Sequence, residues 1–309
     1  MLRDKTQLLL FLLSSSVVLL ISCSILTNEK EDPYKPPCAF CPFDFRATDY
    51  EPDWSPNGTI IAYAHSDTLE GKSGIYFINP DGTNIRQWHV GGATPSWSPD
   101  GEWIAFEQGG QIFKKTIEGD SLVQLTFSGR NFFPDWTVDS EYILYDSNVD
   151  SENGMNFIWR MNADGSEKRR LIFTPSEGET RMPSTTGLEN LLIYIGFLSG
   201  VNSSEIFSNT YDDNTPKRIT NNEVSDLFPK LSPNGQKIVY TSQRAGEKPQ
   251  IWIIDVDGNN PKQLTTAAGY SNGWSPDGEW IIYTDSRAVN GRLWVMRADG
   301  SQKQQLTFD

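Results

Sequence analysis

The sequence predicts an all-β chain, a six-bladed β-propeller with four antiparallel strands per blade. Three observations predict it. A five-residue mark recurs six times, its first residues falling at 54, 97, 136, 185, 231 and 274, a mean spacing of 44. A period in the forties built from short strands is the signature of propeller blades. Each copy is followed by a near-continuous apolar run, which suits a strand buried on both faces. Asp-Gly and Asn-Gly turns punctuate the units, and no helical period appears.

Within a unit the elements follow in order. A short inner strand ends on the first residue of the mark, seen intact in Trp54-Ser55-Pro56-Asn57-Gly58, Trp97-Ser98-Pro99-Asp100-Gly101 and Trp274-Ser275-Pro276-Asp277-Gly278. Leu231-Ser232-Pro233-Asn234-Gly235 changes only the first position, and Trp136-Thr137-Val138-Asp139-Ser140 is a decayed copy. Thr185-Thr186-Gly187-Leu188-Glu189 is the faintest, held in register by Pro183 and Tyr194. Pro-Asp/Asn-Gly supplies a tight turn, since Gly tolerates positive φ and Asn or Asp comes closest to it. The second strand is apolar, as in Ile60-Ile61-Ala62-Tyr63, Ile238-Val239-Tyr240 and Ile281-Ile282-Tyr283. After a variable loop comes a third strand, as in Ile158-Trp159-Arg160-Met161, Ile251-Trp252-Ile253-Ile254 and Leu293-Trp294-Val295-Met296. A second turn recurs at Asp81-Gly82, Asp164-Gly165, Asp257-Gly258 and Asp299-Gly300, and the outer strand closes on Leu-Thr or Ile-Thr at 125, 219, 264 and 306.

This progression resembles the repeat of the TolB-like propellers, which also builds the propellers of the prolyl oligopeptidase group. The resemblance covers residues 50–309 and implies a docking platform for a protein or peptide. No α/β-hydrolase domain is recognised, so the peptidase activity of those relatives is not expected here. Neither is TolB's own α/β domain, so its specific role in the Tol–Pal system does not transfer.

The chain's start reads differently. Arg3 and Lys5 precede an apolar stretch broken only by Ser14-Ser15-Ser16, the layout of an export signal. It ends in Leu20-Ile21-Ser22-Cys23, which resembles a bacterial lipobox and implies a lipid thioether on Cys23. An uncleaved anchor and plain secretion are the alternatives. Residues 1–22 are thus expected as a lipoprotein signal peptide, 23–49 as a lipidated tether rich in charge and proline, and 50–309 as the propeller. Without residues 1–22 the chain holds 24 basic and 39 acidic residues, a net charge near −15. Such a surface repels nucleic acid and anionic headgroups, so the membrane link is expected to be covalent. Cys38 and Cys41 then remain as an even pair, bracketed by Pro37 and Pro42. A small local disulfide is expected, with metal binding and redox chemistry as alternatives.

Motifs that carry chemistry elsewhere do not assemble a site. Gly119-Asp120-Ser121-Leu122 spells an esterase block, yet both histidines, His65 and His89, lie upstream of it and read as loop residues. Asp255-Val256-Asp257-Gly258-Asn259 starts like a calcium loop but lacks the distal Glu and coincides with a turn. No metal, cofactor or catalytic residue is expected. Arg244 and Arg287 recur at one blade position, reading as inter-blade ion pairs or ligand contacts.

The Ser-Pro-Asp-Gly and Asp-Gly turns belong to one face of the ring; the longer, varied, aromatic loops belong to the other. Loops that vary on a rigid scaffold are where binding sits. Phe132, Phe133, Phe228 and Tyr270 are therefore candidate contacts, or else rings that seal the channel and blade joints. The expected function is a monomeric, non-catalytic envelope lipoprotein, facing periplasm or cell exterior, whose loop face binds an envelope protein or peptide. The alternative is a glycan-binding module or carbohydrate-active enzyme using the channel mouth.

Overall fold

The computed structural model describes residues 47–67, 70–171, 178–185, 190–197, 203–210, 215–244, 248–285 and 290–308. The expectations for Cys23, Cys38, Cys41 and Arg287 fall outside them. The described strands form six antiparallel four-stranded sheets, each made of four strands consecutive in the chain. The six inner strands are Ala47–Trp54, Ala93–Trp97, Asn131–Trp136, Thr180–Thr185, Asp226–Leu231 and Gly269–Trp274. Numbered from the N-terminal end, they open blades 1 to 6. Blade 1 thus begins at Ala47, ahead of the expected boundary at 50.

The first turn of each unit is built by its hydroxyl. In five blades the Ser or Thr of the mark donates to the Asn or Asp Oδ1 two residues on, at 2.5–2.8 Å. The same hydroxyl accepts the backbone N–H five residues on at 2.9–3.0 Å, fixing where the second strand starts. The Leu-Thr ending has an equally local cause. Thr126, Thr220, Thr265 and Thr307 Oγ1 accept the N–H of Ile112, Ile206, Ile251 and Leu293 at 2.8–3.0 Å. Outer strands of only two or three residues therefore suffice in blades 2, 4, 5 and 6. The preceding Leu125, Ile219, Leu264 and Leu306 enter the apolar layers between blades. Tyr63, Tyr145, Tyr194, Tyr240 and Tyr283 fill these layers at the second strand, each at most 2% exposed.

Among the described residues, closure uses no exchanged strand. The inner strand of blade 1 packs on the inner, second and third strands of blade 6. Asp49 N–H donates to Gly291 O at 3.1 Å, Thr284 Oγ1 to Asp49 O at 3.0 Å, and Glu51 N–H to Ser271 Oγ at 2.9 Å.

Three motifs resolve into scaffold. Ser121 and Asp120 form the turn into the outer strand of blade 2, where Thr116 Oγ1 donates to Asp120 Oδ1 at 2.8 Å. Asp257 likewise shapes a turn, its Oδ1 accepting Asn259 N–H at 2.9 Å. The histidines are strand residues, correcting the expectation of loops. His65 lies in Ile61–Asp67 with Nδ1 2.6 Å from Asp49 Oδ1, and His89 lies in Arg86–Val90 with Nε2 3.0 Å from Gln108 Oε1.

Candidate functional site: the central funnel

The axis of the ring is marked by contacts that skip a blade. Phe133 and Phe228, from blades 3 and 5, meet edge to face with centroids 6.3 Å apart. Lys230 Nζ of blade 5 lies 2.9 Å from Asp135 Oδ1 of blade 3. Side chains two blades apart can touch only by projecting inward, so these residues line a central funnel.

A repeated backbone irregularity produces that lining. Glu51, Thr94, Phe133, Met182, Phe228 and Ser271 hold the same place in their inner strands, and each has φ between 48° and 55°. Pairing with the second strand shifts register at this point in all six blades. A non-glycine residue in the left-handed region is strained by about 1–3 kcal/mol, and such strain persists where the surroundings enforce it. Here the bulge turns a side chain toward the axis, and proline follows in five of six blades. One half of the resulting ring, Phe133, Met182 and Phe228, is apolar and backed by Ile195, Leu227 and Phe197. The other half, Ser271, Glu51 and Thr94, is polar.

Two residues further along each strand lies a second ring: Asp53, Ser96, Asp135, Ser184, Lys230 and Gly273. Inner strands are sheet edges, so their outward N–H groups need acceptors. Asp53 Oδ2 accepts the N–H of Trp97 at 2.8 Å, Ser96 Oγ that of Trp136 at 3.4 Å, Asp135 Oδ2 that of Thr185 at 2.9 Å, and Ser184 Oγ that of Leu231 at 3.4 Å. Blades 1 to 4 thus each latch the next. Lys230 breaks the pattern, because an ammonium cannot accept; blade 6 instead reaches blade 5 through Trp274 Nε1 and Lys230 O at 3.0 Å.

The electrostatics follow from enclosure. Burial pushes the Glu51 carboxyl up to about 8, against the opposing pull of the Thr94 N–H, with Glu107 adding repulsion. Burial likewise lifts Asp53 to about 6, although Lys230 and the Trp97 N–H counter it. Lys230 is the reverse case. Burial alone would lower it, but Asp135, Asp53 and Glu51 outweigh that and hold it above the ordinary lysine value. The free volume is about 50 Å³, room for a few waters or the tip of a side chain.

The expected contact residues divide. Phe133 and Phe228 line the funnel from within the inner strands, not from loops before them. Phe132 is only 2% exposed, its ring covered by the Arg130 guanidinium at 5.5 Å, and offers a partner no surface. Tyr270 stands at the joint of blades 6 and 1, its hydroxyl so close over Gly291 that a Cβ there would come within 2.9 Å. Arg244 pairs with Asp226 at 3.0 Å inside blade 5, correcting the expectation of an inter-blade pair. Glu51, Asp53, Thr94, Met182 and Lys230 were not singled out from the sequence, although the proline after the bulge recurs at 52, 95, 134, 183 and 229.

The family model of the TolB beta propeller domain matches residues 43–196 and 195–309. The chain belongs to the TolB β-propeller family. This TolB-family propeller is 28% identical over 255 residues to uncharacterized protein Atu1656 of Agrobacterium fabrum, covering 74% of this chain and 67% of that protein. It is 37% identical over 84 residues to the Tol-Pal system protein TolB of Anaeromyxobacter dehalogenans, 27% of this chain. The match spans only 19% of that TolB's length. Among solved structures, TolB from Acinetobacter baumannii superposes with TM-score 0.65 at 20% identity, over 85% of this chain and 64% of that one. An oligogalacturonate lyase in complex with manganese superposes with TM-score 0.55 at 13% identity, over 86% and 79%. At such identities these structures share the fold alone.

Proposed function

We propose that this chain is a non-catalytic, lipid-anchored cell-envelope protein that captures a protein or peptide partner at its central funnel. The observation that carries the reading is the two-sided ring, with an apolar wall of Phe133, Met182 and Phe228 facing a polar wall of Glu51, Thr94 and Ser271. Aromatic side chains on a backbone fixed by Pro134 and Pro229 are presented at little entropic cost. Buried aromatic anchors commonly contribute about 2 kcal/mol or more, roughly 30-fold in affinity. The Tol-Pal name of the Anaeromyxobacter relative supports an envelope setting, and the lipobox-like order ending at Cys23 supports the anchor. No helix among the described residues is long and apolar enough to cross a membrane. The glycan alternative draws less support, since the oligogalacturonate lyase superposes at only 13% identity.

The test is capture of partners from envelope by the tethered protein and its variants. Phe133→Ala with Phe228→Ala is expected to weaken capture by about 30-fold or more. Thr94→Phe, which fills the opening without removing core, is expected to do the same. Asp81→Ala with Asp299→Ala, on turns at the other face, is expected to leave capture unchanged. Folded funnel variants that capture normally would sink the reading. Intact mass of the mature N-terminus, carrying lipid at Cys23 or not, checks the anchor.

A further inference from the structure

We propose that the funnel accepts a cation: the ammonium tip of a lysine side chain, or a peptide N-terminus, whose adjoining apolar carbons lie on Phe133, Met182 and Phe228. This rests on the funnel being the binding site and names the chemistry it selects.

Glu51, Asp53 and Asp135 face the axis with Lys230 as the single cation of the two rings, so the lining carries more acid than base. Lys230 is committed across the ring to Asp135 at 2.9 Å. A ligand carboxylate would have to displace that pair and approach two further carboxyls. A ligand ammonium at Glu51 breaks no ion pair and meets only the repulsion of Lys230, whose charge is already offset by Asp135. Glu51 has a free hand for it: Oε2 accepts Thr94 N–H at 3.0 Å, and among the described residues Oε1 has no hydrogen-bond partner. The small free volume admits an ammonium and a methylene or two, and the apolar wall stands opposite the polar one to take the carbons that follow.

The titration of these groups agrees with that geometry. Glu51 meets Tyr50 on its own strand, Glu107 from blade 2, Lys230 from blade 5 and Tyr270 from blade 6. With its carboxyl near 8, it is mostly protonated at neutral pH. An arriving ammonium favours the carboxylate, so the acid proton leaves to solvent as the ion pair forms, and nothing else is exchanged. For a lysine-type ammonium, binding therefore becomes tighter as pH rises toward the Glu51 value and levels off above it, whereas a peptide N-terminus, itself titrating at about 8, binds best near neutrality.

Calorimetric titration of the folded protein with n-hexylammonium and with n-hexanol tests this. Measurements run from about pH 6 to about pH 9 in two buffers of different ionisation enthalpy. Hexylammonium is expected to bind at least about tenfold more tightly than hexanol at the upper pH, to gain at least about tenfold across the range, and to release a proton near neutrality. Glu51→Gln keeps an acceptor for Thr94 and is expected to abolish proton release and flatten the pH dependence. Phe133→Ala with Phe228→Ala is expected to weaken both compounds without changing the proton count.

Equal binding of hexanol and hexylammonium overturns the cation proposal and leaves the funnel reading standing. So does calcium displacing hexylammonium with the same proton release, which would make the site one for an inorganic cation. If hexylammonium fails to bind while the Phe variants still lose partner capture, the cation proposal alone fails. If it fails to bind and those variants capture normally, both fail.

Discussion

Glu51 is held by its own usefulness: its carboxyl latches the Thr94 N–H of the next blade, yet sits where ionisation is disfavoured. Folded, the group titrates near 8; unfolded, near the ordinary 4.5. The folded state thus binds the proton more tightly. Its contribution to stability is fully present below the unfolded value and is lost as pH rises through the folded one. Glu51→Gln mimics the protonated form at every pH. Its melting temperature relative to wild type is therefore expected to climb from about pH 5 to about pH 9, by several degrees. A constant difference would show that Glu51 ionises freely in the fold. At this scale the sequence was only partly legible. Phe133 and Phe228 stood out because an aromatic before proline is conspicuous. Asp53, Asp135 and Lys230 did not, since the slot before the Trp or Leu looks variable until its members are compared as hydrogen-bond acceptors. Lys230, the lone cation there, was the available signal. The left-handed φ was hidden, because turn rules look for Gly or Asn at such places, and the bulge carries Glu, Thr, Phe, Met and Ser.

Two side-chain-to-backbone devices recur, one in five blades and the other in four, and both were legible as motifs without their mechanism. Ser-Pro-Asp-Gly recurs because its hydroxyl and carboxylate set the first turn; Leu-Thr recurs because one residue fills the blade joint and the next completes the third strand's hydrogen bonding. The second device carries a prediction. Thr265→Val keeps shape and burial but removes the acceptor for Ile251 N–H, a bond of 2.9 Å between buried groups. An unsatisfied buried donor costs about 1–3 kcal/mol. A thermal melt should fall by a few degrees, roughly the shift such a loss produces in a chain of this size. Thr265→Ser, which retains the hydroxyl, should recover most of it. A valine variant as stable as wild type would mean that water replaces the lost acceptor. Blade 4 shows where legibility ended: its mark was the faintest, yet Thr180–Thr185 occupies the slot with the same bulge at Met182.

Across the whole molecule, closure was predicted from the count of repeats, while its means was not. A ring often closes by lending a strand from one terminus to the other terminal blade. Among the described residues every blade is contiguous, and closure rests on lateral packing between blades 6 and 1 with hydrogen bonds across the joint that include Asp49 N–H to Gly291 O. Lateral closure raises the question whether five blades could close as well as six. The second ring answers it. Blade 6 carries Gly273 where the other blades carry Asp, Ser or Lys, and a Cβ there would stand 3.0 Å from Pro52 O of blade 1. Bringing blade 5 against blade 1 would set the Lys230 side chain into that contact and pull it from Asp135. Deleting residues 269–309 therefore leaves two apolar blade faces with no partner that fits, including Ile61 and Tyr63 on blade 1 and Val239 and Ile251 on blade 5. The truncated chain is expected to be insoluble or to lack a cooperative melt, whereas a linear array of repeats would lose only a cap. Soluble expression with a single sharp transition would show that the joint between blades 6 and 1 is dispensable, and that neighbouring blades hold one another without the ring.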